Sequence, residues 1–359
     1  MILTILAFLI VLGVLVLVHE LGHFVVAKLS GVKVEEFAFG FPPRLFSIKK
    51  GETRYSVNVV PFGGYVKMLG ELEHSASPRA FENQRAGKRF AISIAGVVMN
   101  ILLAWTILTV GFIAGMSPII SDPDTLPGQK VSSEIIVANV TKGSAAEKAS
   151  FQAGDMLLRA QTGEDQVNFD SVESVGDFTR RHQGERVEFV YERGNQSETK
   201  SVELSRDGEA PLGVALAERS IVKVPWYQAP YVALRETWHV VEVTFRFFGQ
   251  FLHNLFARGE VAEEVGGPVA VYVYSGLAVR AGVMVFLQFI AMLSVNLAII
   301  NILPFPALDG GRLLFIALEK LHGRKVVREE IENIIHTIGF AVLIALLLAI
   351  TYRDIIKLF

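Results

Sequence analysis

The sequence predicts a polytopic α-helical membrane protein with four transmembrane helices, a membrane-associated β-hairpin and one α+β domain outside the membrane. Apolar residues make up 51% of the 359-residue chain, and charged residues make up only 19%. Four apolar segments are long enough to cross the hydrocarbon layer of a bilayer, which takes about 20 residues of helix. These segments are 1–27, 90–116, 281–305 and the apolar part of 334–359.

Charge and cysteine content exclude several classes of partner and site. The formal net charge is −2 and no long basic run is present, so we expect no nucleic-acid partner. The chain has no cysteine, which excludes disulfides and thiolate metal ligands. Any zinc site must therefore use histidine and carboxylate ligands.

The charges of the loops predict the orientation in the membrane. Between Lys28 and Arg89 there are eleven Lys or Arg residues and six Glu residues. A second basic cluster, which begins at Lys320, follows the third apolar segment. By the positive-inside rule, the loop 28–89 and the segment 306–333 are cytoplasmic. The N-terminus, the region 117–280 and the C-terminus are then expected outside.

The first apolar segment contains the sequence His-Glu-Leu-Gly-His at positions 19–23. On a helix, His19 and His23 are four residues apart and face the same way, as two zinc ligands would. Glu20 follows the first histidine and is positioned to take a proton from zinc-bound water. The alternative is a pair of buried histidines bonded to backbone carbonyls. The cost of ionisable groups in an apolar span favours the metal site.

The cytoplasmic loop contains a hairpin pattern. Tyr55, Val57 and Val59 alternate before a Pro-Phe-Gly-Gly turn that includes Gly63 and Gly64, and a second short β-like run follows. Its apolar character next to the histidines predicts a re-entrant element, which membrane depth tolerates only where protein or a wet cavity covers its backbone. A small hairpin in the cytoplasm is the alternative.

The second apolar segment, 90–116, carries Gly96 and Asn100 on one helical face. One interpretation is a close approach to the histidine helix, with Asn100 facing the site. The other is ordinary small-residue packing with an interhelical hydrogen bond. This segment alone does not separate the two.

A polar region of mixed pattern follows the second segment. A Pro, Ser and Asp-rich linker at 117–132 leads into a domain predicted at 133–218. Within it, 143–149 predicts a short helix, Gly154-Asp155 a turn and 156–158 a strand. This stretch closely resembles a PDZ domain of the bacterial type, and 211–216 resembles the ligand-binding end of that fold. PDZ domains bind an extended peptide as an added strand; peptide binding and a space-filling role both remain open.

The region 219–280 contains an amphipathic pattern and a connector. Apolar residues recur at a spacing of four and three from Leu234 to Leu255, which marks one helical face. Charged residues, among them Glu236 and Glu242, argue against a fifth span. The pattern favours a helix that lies on the outer membrane surface or braces the external domain.

The third apolar segment, 281–305, leads to a candidate third zinc ligand. Pro304 and Pro306 are predicted to end the helix, so that Asp309 leaves the helical path and turns back towards a neighbouring span. A carboxylate would complete a site of two histidines and one carboxylate with an open position for water. The alternative is a turn-forming aspartate before Gly-Gly.

Together, the motifs HELGH, PFGGYVK and NILPFPALDGG, the Gly96 and Asn100 pair and the external domain resemble the site-2 protease family of intramembrane zinc metalloproteases. The resemblance covers nearly the whole chain and is closest to the bacterial branch that cleaves anti-sigma factors. It implies that His19, His23 and Asp309 bind zinc and that Glu20 is the general base. Asn301 is then expected to contact the substrate or transition state, and Asn100, Gly96, Gly63 and Gly64 to contribute to substrate binding.

Two departures from the family pattern stand out. Val97 replaces the proline usual after the motif glycine, and one PDZ domain is evident where the best-known members have two. Neither affects the metal ligands.

The predicted function is hydrolysis of a peptide bond within or next to a transmembrane helix, in regulated intramembrane proteolysis. Expected partners are single-pass membrane proteins, the lipid bilayer and a possible peptide ligand of the PDZ domain. The expected location is the bacterial inner (plasma) membrane, with the zinc near its cytoplasmic side. A catalytically silent adaptor would not explain Glu20 and Asp309, and a zinc transporter needs no general base.

Overall fold

The computed structural model describes residues 1–359 apart from 72, 195, 207–209, 259–265, 324–328 and 359. The chain divides into two compact units. The first unit comprises Met1–Ile107, Thr237–Gly276 and Gln288–Phe359, and the second comprises Leu108–Glu236 and Leu277–Leu287.

The described helices and strands follow one another along the chain, and their bounds are as follows. The first half contains α1 (Ile2–Leu29), β1 (Val34–Lys50), β2 (Thr53–Met68), α2 (Ala86–Ala114), β3 (Gln129–Val140), α3 (Ala145–Lys148), β4 (Met156–Thr162) and β5 (Asp165–Asn168). The second half contains α4 (Val172–Arg181), β6 (Arg186–Arg193), β7 (Gln196–Glu203), β8 (Val214–Lys223), α5 (Ala229–Arg258), α6 (Pro268–Arg280), α7 (Val283–Ile302), α8 (Asp309–His322) and α9 (Glu329–Leu358).

Four helices in the described part of the chain are long and apolar enough to cross a membrane. They are α1, α2, α7 and the part of α9 from Ile334 to Ile356. This confirms the four predicted segments. The second segment begins earlier than predicted, because α2 starts at Ala86 rather than at 90.

The helices α1 and α2 approach each other closely at Gly22, the glycine of the HELGH sequence. A Cβ at this position would lie 2.5 Å from the carbonyl oxygen of Ala95 and 2.7 Å from Met99 Cγ. Only a residue without a side chain permits that distance. The motif glycine therefore brings α2 against the histidine face of α1.

The predicted hairpin between 53 and 70 is replaced by a small sheet that includes a strand the sequence analysis missed. Phe39 on β1 pairs with Val57 of β2 and also with Gly64 of β2. One residue with two partners in the same strand means that β2 folds back between them. The turn near 61–64 is therefore present, but the two runs of β2 lie on either side of the first part of β1, residues 34–39. Val57 also pairs with Phe46, so β1 folds back as well.

The second unit contains the predicted external domain. Its sheet has the strand order β7-β6-β4-β3-β8, and β5 pairs with β4. The predicted helix, turn and strand at 143–158 are confirmed as α3, which Ser144 caps, and β4. The core is built from apolar side chains of the strands and α4, among them Phe178, Phe189 and Tyr191. The sheet extends beyond the domain limits predicted at 133 and 218, because β3 begins at Gln129, which pairs with Lys223 at the end of β8.

The amphipathic helix predicted from Leu234 is confirmed as α5, and the connector contains a further helix, α6. Glu236 is 0% exposed, and its Oε1 accepts the N–H groups of Ile119 and Ile120 at 2.6 Å each. The buried charge is therefore bonded to backbone within the second unit, which explains its place on an apolar helix.

Candidate active site

Two histidines of α1 meet at one point. His19 and His23 are each 8% exposed, and their Nε2 atoms lie 3.2 Å apart. The i, i+4 spacing of the helix places both rings on one face, as the sequence predicts. Their rings are close to perpendicular, with an interplanar angle of 81°.

Asp309 reaches the histidines through a break between two helices. The helix α7 ends at Ile302, and α8 begins at Asp309 itself, with Leu308 as its N-cap. The break at the two prolines is confirmed. The segment 306–333 is not only a loop, because α8 occupies Asp309–His322. The carboxylate Oδ2 lies 3.1 Å from His19 Nε2 and 3.2 Å from His23 Nε2.

The three donor atoms have the spacing of a zinc site. Tetrahedral zinc holds nitrogen and oxygen ligands at about 2.0 to 2.1 Å, which places neighbouring ligand atoms about 3.3 Å apart. Asp309 Oδ2 is buried and has no well-aligned hydrogen-bond donor. His19, His23 and Asp309 form the group of side chains in the described residues that can hold a metal ion. The donor set therefore fits zinc.

The outer nitrogens of both histidines are bonded to α2. His23 Nδ1 donates to the carbonyl oxygen of Ile92 at 2.8 Å, which leaves the Nε2 lone pair for a metal. Asn100 is 0% exposed, and its side-chain amide lies 3.3 Å from His19 Nδ1. The atom that faces the ring is the amide nitrogen Nδ2. Because His19 Nδ1 carries the proton when Nε2 binds a metal, the amide must turn by about 180° for its oxygen to accept that N–H.

Gly96 and Asn100, which are predicted to contribute to substrate binding, contact the two histidines in the structure. A Cβ on Gly96 would lie 2.5 Å from His19 Cε1 and 2.5 Å from His23 Nε2. The absence of a side chain is what allows the two rings to pack on α2. Asn100 has no exposed surface with which to contact a substrate. Of the two interpretations of this pair, the close approach to the histidine helix is the one observed.

Glu20 lies beside the metal ligands and against the sheet. Its side chain is half-buried and lines a cavity together with His19, His23 and Asp309. A Cβ on Gly64 would lie 3.3 Å from Glu20 Cγ and 2.9 Å from the carbonyl oxygen of Ala38. Gly64 thus makes room for the glutamate. Gly63 has a φ of +119° and lies against the ring of Phe41.

The cavity has a volume of about 1660 Å³. Asn301, near the end of α7, lines the cavity, and so do residues of the second run of β2. Those residues are Tyr65, Val66 and Met68. The three candidate ligands, Glu20, Asn301 and the second run of β2 therefore line one cavity.

Sequence reasoning missed two ion pairs that hold α8 at this cavity. Arg312 pairs with Glu71, which follows β2, and both oxygens of Glu319 accept from Arg89 at the start of α2 at 2.6 Å. Each pair joins residues more than 200 positions apart in the chain. The only sequence signal was the arginine that follows the Asp-Gly-Gly sequence.

The comparisons with known proteins agree with this geometry. The model of Peptidase family M50 matches residues 7–346. Zinc metalloprotease RasP of Oceanobacillus iheyensis is 30% identical over an alignment 446 positions long, which covers 99% of each chain. RasP of Geobacillus kaustophilus is 28% identical, with 99% of this chain and 98% of the relative covered. A Clostridium perfringens protein assigned by name to the zinc metalloproteases is 35% identical over 95% of each chain.

The family model spans most of the chain, and the relatives are covered nearly end to end. Four apolar helices and this family indicate a multi-pass membrane protein. Zinc is its metal cofactor. The chain belongs to Peptidase family M50, the site-2 protease family, and is a zinc metalloprotease.

Proposed function

We propose that this chain is an intramembrane protease that cleaves a peptide bond within or next to a transmembrane helix of a membrane protein. Its catalytic zinc is held by His19, His23 and Asp309. The observation that carries the proposal is the convergence of these three donors, 3.1 to 3.2 Å apart, two of which lie on α1, a helix apolar enough to span a bilayer. Metal ligands on a membrane-spanning helix are expected to act on a substrate within the membrane.

Glu20 is the proposed general base. Bound zinc would polarise the scissile carbonyl and acidify the attacking water. Glu20 accepts the proton of that water and then delivers it to the leaving amine, as general acid and base. Its position beside the ligands, next to the Cα of Gly64, supports this role. Asn301 faces the same cavity, where its amide donates a hydrogen bond to the substrate carbonyl.

The substrate must be unwound before it is cleaved, because a transmembrane helix keeps its peptide bonds in its own hydrogen bonds. The run of β2 from Gly64 to Met68 pairs with β1 on one side, and three of its residues line the cavity. An unwound segment adds to this run as a further strand, with main-chain hydrogen bonds that hold it beside Glu20.

The domain of the second unit is proposed to be a PDZ domain outside the membrane. This assignment is supported by its sheet, by α3 and α4 and by the sequence resemblance at 143–158. The Lys and Arg residues of the segments 28–89 and 306–333 support a cytoplasmic position for the ends of the spans that carry the metal ligands. The proposed location is the bacterial inner membrane, and the proposed pathway is regulated intramembrane proteolysis of single-pass proteins such as anti-sigma factors.

The test is cleavage of a model single-pass substrate by the purified full-length chain in liposomes. Glu20→Gln keeps the size and polarity of the side chain but accepts no proton, so zinc content should remain and turnover should fall by about 10² to 10⁴. Cleavage that this variant carries out at the unchanged rate would contradict the mechanism. If the unaltered chain carried zinc into the liposomes and cleaved nothing, it would be a transporter. If it showed neither zinc uptake nor cleavage, it would be an adaptor.

A further inference from the structure

The turn that carries Asp309 to the metal site is tied to the last helix at one residue. The turn, 303–308, contains two prolines, which have no N–H group. Of its four remaining N–H groups, three bond to carbonyl oxygens within 300–305. The fourth, the N–H of Ala307, donates to Nδ1 of His336 on α9 at 2.9 Å. His336 therefore supplies the one hydrogen bond between this turn's amides and another element.

Ala307 is also the residue of the turn with an unfavourable backbone conformation. Its φ is +74°, in the left-handed region of backbone conformation that residues other than glycine rarely adopt. Such a conformation persists only where the surrounding structure holds it. Asp309 follows two residues later, so the direction in which α8 begins depends on the conformation of Ala307.

The helix α9 contacts the same turn at a second point. A Cβ on Gly339 would lie 2.5 Å from Pro306 Cβ and 2.7 Å from the Pro306 carbonyl oxygen. His336 and Gly339 are three residues apart, on one face of α9. The ring of His336 also packs against Phe315 of α8, with 5.8 Å between ring centroids. Only 6% of the apolar window of α9 is buried. Its contact with the turn is separate from the one near its other end, where Asp354 accepts the N–H of Gly267.

We propose that His336 is a positioning residue for the metal site: it holds Ala307 in its left-handed conformation and thereby places Asp309 opposite the two histidines. The inference rests on the proposed role of Asp309 as a zinc ligand. It assigns a task to the fourth apolar helix, which contributes no ligand of its own. His336 must be neutral, with its proton on Nε2, to accept the N–H of Ala307.

The test compares two substitutions of His336 in the purified full-length chain, with zinc affinity measured by competition with a chelator. His336→Leu fills similar space but accepts no hydrogen bond, whereas the side-chain oxygen of His336→Asn lies close to the position of Nδ1. His336→Leu should weaken zinc binding by about 10- to 100-fold, which is the usual effect of losing a residue that orients a metal ligand without binding the metal itself. His336→Asn should bind zinc with nearly the original affinity. His253→Leu, at an exposed histidine of α5, is the matched control.

A second substitution separates positioning from a general loss of folding. Ala307→Gly removes the penalty of the left-handed φ, so in the His336→Leu background it should restore a large part of the zinc affinity. The turn itself is followed in zinc-free protein through Leu308→Cys, since the natural chain has no cysteine. A thiol reagent should label the introduced cysteine faster when His336 is leucine than when it is histidine or asparagine.

Three results would overturn the inference: unchanged zinc affinity in His336→Leu, an equal loss in His336→Asn, or no recovery with Ala307→Gly. None of these measurements uses a protease substrate. A chain that binds zinc normally and cleaves nothing would count against the proposed function and not against the role of His336.

Discussion

Gly96 of α2 lies directly against the ring of His23 of α1, so that a Cβ on Gly96 would be 2.5 Å from His23 Nε2. The same Cβ would be 2.5 Å from His19 Cε1. A methyl group at this position must displace both rings from the point where Asp309 meets them. The closeness of the two helices is therefore part of the metal site.

Gly96→Ala should lower zinc affinity and reduce turnover by about 10²-fold or more, because a shift of about 1 Å in a catalytic group costs that much. Gly87→Ala is the matched control, since it lies on the same helix and has no neighbouring atom within 4 Å of its Cβ position. Zinc per protein and cleavage rate are measured for both. Full activity in Gly96→Ala would mean that the rings have more room than the structure allows.

Asp309 and Asn301 should differ in what their loss removes. Asp309→Ala should lower bound zinc and activity together, because it deletes a metal ligand. Asn301→Ala should keep its zinc and lose about 10² to 10³ in rate, as the loss of a donor to a developing oxyanion does. Zinc per protein decides between the roles. An equal loss of zinc in both variants would assign Asn301 to the metal site, and full zinc in Asp309→Ala would remove Asp309 from the ligands.

The domain of the second unit, which we propose lies outside the membrane, is predicted to limit access by substrates with bulky external portions. Gln129 and Lys223 are paired residues of β3 and β8, so deletion of the residues between them leaves two ends that a short Gly-Ser linker can join. The shortened chain should cleave a substrate with a short ectodomain at the original rate. It should also cleave a long-ectodomain substrate that the full chain resists. Continued resistance to the long substrate would exclude a filter.

His182 in the second unit predicts a pH-dependent stability. Burial alone would lower the pKa of His182, but its hydrogen bonds to Asp165 at 2.9 Å and Glu185 at 2.8 Å outweigh this and raise the pKa above 6.5. The protonated ring donates to both carboxylates, while the neutral ring donates to one. Its contribution to stability is therefore complete below pH 6.5 and is lost as the pH rises through the raised pKa.

Hydrogen-exchange protection factors of α4 in the full-length chain, corrected for intrinsic rates, should fall over that pH range. His182→Gln should remove the dependence, because glutamine does not titrate. His74→Gln, which alters an exposed histidine beside Glu82, is the control and should leave it unchanged. A pH profile of α4 that His182→Gln does not alter would show that another group is responsible.

Features that depend on residues close together in the chain could be predicted before the structure was known. The apolar segments, the histidine pair, Glu20 and the prolines before Asp309 are local patterns, because a helix places residues i and i+4 on one face whatever surrounds it. The helix, turn and strand at 143–158 were predictable for the same reason. A third ligand was also predictable, since zinc requires one and the chain has no cysteine.

The tertiary structure decided which distant residues meet. The predicted hairpin was wrong because both runs of β2 pair with β1, whose own alternation of Phe37, Phe39 and Phe41 the sequence analysis did not use. The contacts of Gly96 and Asn100 with His19 and His23 follow from the approach of α2 to α1, which alone shows what the missing side chain of Gly96 makes room for. The hydrogen bond from Ala307 to His336 joins the turn 303–308 to α9, between residues 29 positions apart. No periodic pattern records such a contact, since hydrogen bonds between elements depend on the packed fold rather than on chain spacing.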